Sequence, residues 1–527
     1  MNISLQNFII EDILPLSEVE KPGFARLMSK LVGKLVLKKR TFFTDKLNSQ
    51  FANTKTQLVM ELEKASFVCT TADLWTARRR SFLGMTVHWL GEDLVRRSAC
   101  LALRRVIGSH TFDVIAGVID GIHREFGISS KVNVTVTDNG SNFLKAFKVF
   151  GSNTTEMPED EPLEYDEDVS AEFEEDMIYI ELFDIIEGQY ERESSADSQT
   201  DDDNIEINDT NPARIKLPKH IRCSCHLLNL IATRDVEKIA CPVFKKIKKR
   251  VDAKLQAIWN KQARSSVSSD FIMKTLGSLF ILFNATRWNS FYDAVKCVTV
   301  LIESKNEQLR ETFHHFKIVP LSEVEEQFLQ EYVRIMEPFT QALDVLQNEE
   351  AMSIGCVLPT IKLLQEKMNL LSVDKSIKHC GALVKSILSS IETRFSSMFT
   401  DNHMRFAAIT DPHFKTVWMD EYDPERVVLT SMLRSKVLRL REKEISQGTT
   451  SQYVFYFLTI YSLLNSLFIF LSRNEAVPST SKRSRFLDEY KQKRKSSEVD
   501  EVDVYLNEGT DDLKSLERFP FIKRLYM

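Results

Sequence analysis

KVNVTVTDNGSNFLKAFKVF, residues 131–150, holds a strand, a turn and a helix in one short stretch. Lys131–Thr137 is rich in β-branched residues, whose stiff side chains suit a pleated, half-buried surface. Asp138-Asn139-Gly140 is turn chemistry, and Ser141–Phe150 then reads as a helix. Asp138 is therefore placed at the end of a strand. In sheets covered by helices, polar chemistry collects at such ends because the faces are apolar.

Upstream, three strand-like runs precede it: Ser66–Asp73, Phe82–Leu90 and Leu94–Leu103. The polar stretch Thr76–Arg80 and Gly91-Glu92-Asp93 separate them, which predicts an antiparallel meander. Helical spacing follows through Val114, Ile115, Val118, Ile119, Ile122 and Phe126, with Thr111 or Ser109 as N-cap and Gly127 as the stop. The order β-β-β-α-β-α predicts an α/β protein with a ribonuclease-H-like core. Asp73 closes the first strand, SFVCTTAD, and is the second strand-end acid.

The core reads as residues 63–150 with a continuation at 215–230. Residues 1–62 form a helical appendage interrupted at Pro22. Residues 151–214 are an acidic low-complexity insertion, expected to be disordered. A large all-helical insertion domain spans 231–447, with its clearest apolar stripes at Arg234–Ile247, Phe328–Leu346 and Leu358–Leu371. Residues 448–500 hold an apolar run and a basic linker, and 501–527 form a last short region.

Charge is distributed unevenly. The net charge is −6, yet residues 151–210 hold 23 acids against one Arg, leaving 68 basic and 52 acidic residues, or +16, in the rest. A basic folded part suits a polyanionic partner such as DNA. Eight cysteines without a CxxC pair read as reduced thiols of the cytosol or nucleus. Tyr453–Leu471 is uncharged and long enough to cross a bilayer. It reads as a span, a buried helix or a translated intron or alternative exon. The basic clusters Lys482–Arg485 and Lys491–Lys495 favour the nucleus over the membrane.

Two-ion phosphodiester cleavage needs hard oxygen ligands that the fold gathers from distant positions. Asp73 and Asp138, 65 residues apart at strand ends, are candidates for such ligands. Reading each as a turn or N-cap residue stays open on the residues alone.

Four stretches, TTADLWTARRRSFLGMTVHWL (70–90), VTDNGSNFLKAF (136–147), RCSCHLLNLI (222–231) and ATRWNSFYDAV (285–295), together resemble the hAT superfamily of transposases and the domesticated BED-zinc-finger proteins derived from it. The resemblance runs over most of residues 1–440. It implies that Asp73 and Asp138 are the first two acids of an Asp-Asp-Glu triad holding Mg2+ or Mn2+. It makes Cys223 and His226 a C-x-x-H motif, half a zinc site, expected to pack or hydrogen-bond beside the strand ends. It assigns Arg287 and Trp288 to nucleic-acid binding, the indole stacking on a flipped base, with packing in the core as the alternative for Trp288. Trp75 is expected to line the core near the acids.

The third acid of the family lies in a motif resembling S-x-x-x-E-R-x-F-S. VDVYLNEGTDDLKSLERFPFIKRLYM (502–527) resembles the stretch just upstream, and Glu517 in LERFP fits the motif poorly. The BED finger has no counterpart. The resemblance thus implies a chain shortened at both ends, with 501–527 as the start of a homodimerising region. The functional expectation is a nuclear, DNA-associated protein without strand-transfer activity. The alternatives are an active metal-dependent transposase or nuclease and a protein-interaction module that does not bind DNA.

Overall fold

Alternating side chains along residues 68–106 produce three antiparallel strands, β1 (Val68–Ala77), β2 (Arg80–Leu90) and β3 (Arg96–Val106). The computed structural model describes residues 2–32, 38–77, 80–91, 93–151, 215–282, 288–348, 353–446 and 501–526. It divides into two units, Met1–Ile221 and Arg222–Met527. The chain is mixed α/β.

In the first unit, α1 (Asn2–Glu11), α2 (Pro22–Val32) and α3 (Arg40–Lys64) precede the meander. The helix α4 (Phe112–Glu125) starts after Thr111 and ends where Gly127 adopts φ 65°, letting the Ile128 N–H donate back to the His123 carbonyl at 2.9 Å. β4 (Val132–Thr137), α5 (Ser141–Phe150) and β5 (Lys219–Arg222) complete the sheet, in the order β3-β2-β1-β4-β5. β4 runs parallel to β1, so a crossover through α4 joins the meander to it.

One face of this sheet is packed. Val68, Ala72, Leu83, Met85 and Val87 meet Ile115, Ile119 and Ile122 of α4, Phe143 and Phe147 of α5, and Leu62 of α3. Each of these side chains larger than Ala72 contributes roughly 1.5–3 kcal/mol on burial. The other face carries the alternate residues, half-buried or exposed.

The acidic insertion falls outside the described residues except for its first residue, Gly151. The flanks meet: Gly151 pairs with Leu217, whose N–H donates to the Phe150 carbonyl at 2.9 Å.

The second unit is helical: α6 (Ser224–Leu230), α7 (Pro242–Arg264), α8 (Ser266–Leu276), α9 (Trp288–Ser304), α10 (Asn306–His315), α11 (Glu323–Leu346), α12 (Val357–Ser372), α13 (Gly381–Thr400), α14 (Asn402–Thr410), α15 (Pro424–Ser446), α16 (Glu501–Asn507) and α17 (Pro520–Tyr526). The stripe expected as one helix over 234–247 is divided. A π turn at Ile231–Asp235 leads into a break, and Pro242 then starts α7 at the first position, where its missing N–H costs nothing. Val502, Tyr505, Leu516, Phe519 and Ile522 of the last segment are buried, and α16 and α17 pack against α14 and α15. Tyr453–Leu471 and both basic clusters lie outside the described residues. Among the described residues no helix is long and apolar enough to cross a membrane.

Candidate functional site

The β1/β4 ladder sets the site. Its register runs Thr70↔Thr135, Thr71↔Val136 and Ala72↔Thr137, and there it ends. The next residue on each strand is an acid, Asp73 and Asp138. Paired residues of adjacent parallel strands share a face, and the strands lie about 4.8 Å apart. The acids thus leave the last ladder pair level with each other. Thr70 and Ala72 point toward α4, the Thr70 hydroxyl meeting His123 Nε2 at 3.3 Å, so Asp73 belongs to the opposite, open face.

β4 ends at Thr137 because the next three residues form a side-chain-closed turn. Asp138 Oδ1 accepts the Gly140 N–H at 3.0 Å, which turns the chain into α5. Asp73 was expected at a strand end. Instead β1 continues to Ala77, paired to β2 alone, with Asp73 opposite Gly84. Leu74, Trp75 and Thr76 favour extended backbone, and β2 supplies the partner that β4 no longer offers. Asp73 Oδ1 accepts its neighbour's N–H, from Leu74, at 3.0 Å.

Trp75 also departs from its expected place in the core. It is 41% exposed, on the same face as Asp73. Its indole lies over Gly84, where a Cβ would come within 2.9 Å of the ring, and beside Phe82 at 6.2 Å between centroids. Only glycine across from Asp73 leaves the ring room to lie there. An aromatic face therefore stands open next to the acid pair.

His220 supports Asp138 from β5, a role that no motif announced. The Thr137 hydroxyl donates to the Asp138 carbonyl at 2.9 Å, so its oxygen accepts from His220 Nε2, also at 2.9 Å. The His220 ring stacks on Phe147 at 4.5 Å and 15°. Position on the strand beside β4 was the only available signal.

The open face continues as a polar row. Thr71 and Thr86 hydroxyls meet at 2.6 Å, and Thr86 meets His88 Nε2 at 2.9 Å. Arg96 contacts His88 Nδ1 at 3.4 Å; a guanidinium only donates, so Nδ1 accepts and Nε2 carries the proton. Burial pushes the Cys69 thiol at the end of this row up to about 11, keeping it protonated.

Cys223 and His226 belong to the second unit, at the start of α6. The Cys225 thiol is pushed far up, first by its hydrogen bond with Cys223 and then by burial. A hydrogen-bonded thiol pair at a helix start fits a packing role. Among the described residues no three His, Cys, Asp or Glu side chains are grouped to hold a metal ion. Arg287 and the Trp288 side chain lie outside the described residues, although Trp288 opens α9. Glu517 is exposed and paired with Lys523 at 2.8 Å. All eight cysteines are free thiols.

No family model matches the chain. A Zea mays protein named AC9 transposase is 24% identical over 323 residues, covering 59% of this chain and 32% of that protein. The chain is distantly similar to transposases. A second Zea mays protein, named AC transposase, is 24% identical over 309 residues, 57% of this chain and 32% of its own length. The chain thus spans about a third of the length of these relatives.

Proposed function

We propose that this transposase-related chain is a nuclear, nucleic-acid-associated protein built on a ribonuclease-H-like core, and that it lacks strand-transfer activity. The observation that carries this reading is the register that leaves Asp73 and Asp138 level at the end of the β1/β4 ladder. The meander followed by a helix and a parallel crossing strand supports the ribonuclease-H-like assignment, and the distant transposase similarity supports the nucleic-acid association. Trp75 offers a nucleobase a stacking surface beside the acids. A homodimer through residues 501–527 belongs to the same reading.

A divalent cation such as Mg2+ or Mn2+ fits the donor chemistry of the pair, since carboxylates are hard oxygen ligands. Each acid has one oxygen engaged by a backbone N–H, Asp73 by Leu74 and Asp138 by Gly140. Two carboxylates supply only part of such an ion's shell, which suits a weakly held, largely hydrated ion. Bound there, the ion would supply positive charge against a phosphate. Cleavage through two ions needs further carboxylates, and Glu517 is engaged with Lys523.

A supercoiled-plasmid nicking assay with Mn2+ tests this reading. Neither the wild type nor Asp73→Asn is expected to nick. Metal-dependent nicking by the wild type that disappears in Asp73→Asn would establish an active nuclease instead.

A further inference from the structure

α7 crowds cations into its N-terminal half, while Lys261 and Arg264 suit the dipole at its far end. Over Pro242–Arg264 it has eight Lys or Arg and a single acid, Asp252, and its first turn has no acid. Lys245 lies in the first turn, where the macrodipole is already positive, and Lys246, Lys248, Lys249 and Arg250 follow within the next two turns, a crowd of like charge that gives the helix no support of its own. The helix persists because its other face is buried through Phe244, Ile247, Val251, Leu255, Ile258 and Trp259.

Part of this charge has intramolecular work. Lys254 and Arg250 meet the buried Glu325 carboxylate at 2.7 and 3.3 Å, and Lys248 meets Asp252 at 2.6 Å. Lys245, Lys246 and Lys249 are exposed and belong to no ion pair among the described residues. Lys245 and Lys249 stand one turn apart on one row, with Lys246 on the next, and Lys238 lies exposed just before the helix. Exposed cations gathered on one face without internal partners among the described residues leave a local positive field suited to a polyanion.

We infer that the solvent face of α7 around Lys245, Lys246 and Lys249 binds the phosphate backbone of duplex DNA. This rests on the nucleic-acid reading above and names the surface responsible. Lysine ammonium groups are compact point charges that hold phosphates without reading bases. A membrane surface fits poorly, because an interfacial helix inserts its apolar stripe, and that of α7 is already buried within the unit. The contact is therefore sequence-independent and steeply dependent on salt.

The test is fluorescence anisotropy of a labelled DNA duplex with the full chain, titrated over roughly 50 to 200 mM salt. The variant is Lys245→Gln/Lys246→Gln/Lys249→Gln. The control is Lys274→Gln/Lys375→Gln/Lys385→Gln, which removes equal charge from exposed sites outside α7. Each lost phosphate contact lowers the log–log salt slope by about 0.9, so the α7 variant is expected to lose about 2 to 3 from the slope and at least tenfold in affinity, and the control neither. Equal slopes for wild type and α7 variant, or equal losses in variant and control, would overturn the assignment. Wild type that fails to bind even at low salt would overturn both this surface and the nucleic-acid reading. Circular dichroism of each variant separates lost contacts from lost fold.

Discussion

Glu331→Ala is expected to destabilise the second unit by about 3 kcal/mol. Glu331 lies on α11, 6% exposed. Its carboxylate accepts three backbone N–H groups, from Lys378 at 3.0 Å, His379 at 2.8 Å and Cys380 at 2.9 Å, immediately before α13 begins at Gly381. A negative group at a helix start satisfies orphan donors and opposes the positive dipole end together. Hydrogen bonds to a charged group each contribute roughly 1.5–3 kcal/mol. The sum is not lost in full, because Lys378 is exposed and water replaces part of its bond, while Cys380 is buried and its N–H stays unsatisfied. Glu331→Gln keeps an acceptor and loses the charge, so it is expected to fall between wild type and alanine. Urea unfolding at constant m-value reads both. A loss below about 1 kcal/mol in Glu331→Ala would show that this contact does not fix α13 to α11.

Acid is expected to weaken the first unit through His123. Burial alone holds its imidazole down at about 4, against 6.5 when exposed. Between those values the unfolded chain binds a proton that the folded chain excludes. Stability is therefore undiminished above about pH 6.5 and drains as pH falls toward 4. One pKa unit corresponds to about 1.4 kcal/mol, so the window removes roughly 3 kcal/mol in total. His123→Leu removes the titration and fits the buried site on α4, at the cost of one weak hydrogen bond to Thr70, which keeps its 2.8 Å partner Thr135. Unfolding free energies measured from pH 7 to 4 are expected to fall more steeply in wild type than in His123→Leu. Parallel curves would remove His123 as the acid-sensitive group.

Asp138 shows how a local signal becomes legible. The β-branched run before it, the Asp-Asn-Gly turn and the helix after it agree, and the structure places the three elements accordingly. Gly127 is equally plain, because only its left-handed backbone was needed to end α4. Asp73 and Trp75 were harder. Whether β1 stops at Asp73 depends on β2 continuing beside it, and Trp75 is exposed because it falls on the open face of the sheet with Asp73, which no property of residues 66–77 records. His220 matters through a neighbouring strand reached after the acidic insertion, so spacing could not have linked it to Thr137. The stripe over 234–247 kept its period across a break between two helices, and Pro242 was the only mark of the interruption. The charge of α7 was visible in composition, but only burial and pairing separate the lysines that brace Glu325 from those that face solvent.

The level pairing of Asp73 and Asp138 is best tested by Mn2+ titration, following the loss of the free-ion electron paramagnetic resonance signal in wild type, Asp73→Asn, Asp138→Asn and the double variant. If both carboxylates hold one ion, each single change weakens Mn2+ binding, since each removes a hard oxygen ligand, and the double variant is little worse than either, because the two act as one site. Mn2+ binding by either single variant as tight as wild type would contradict the shared site.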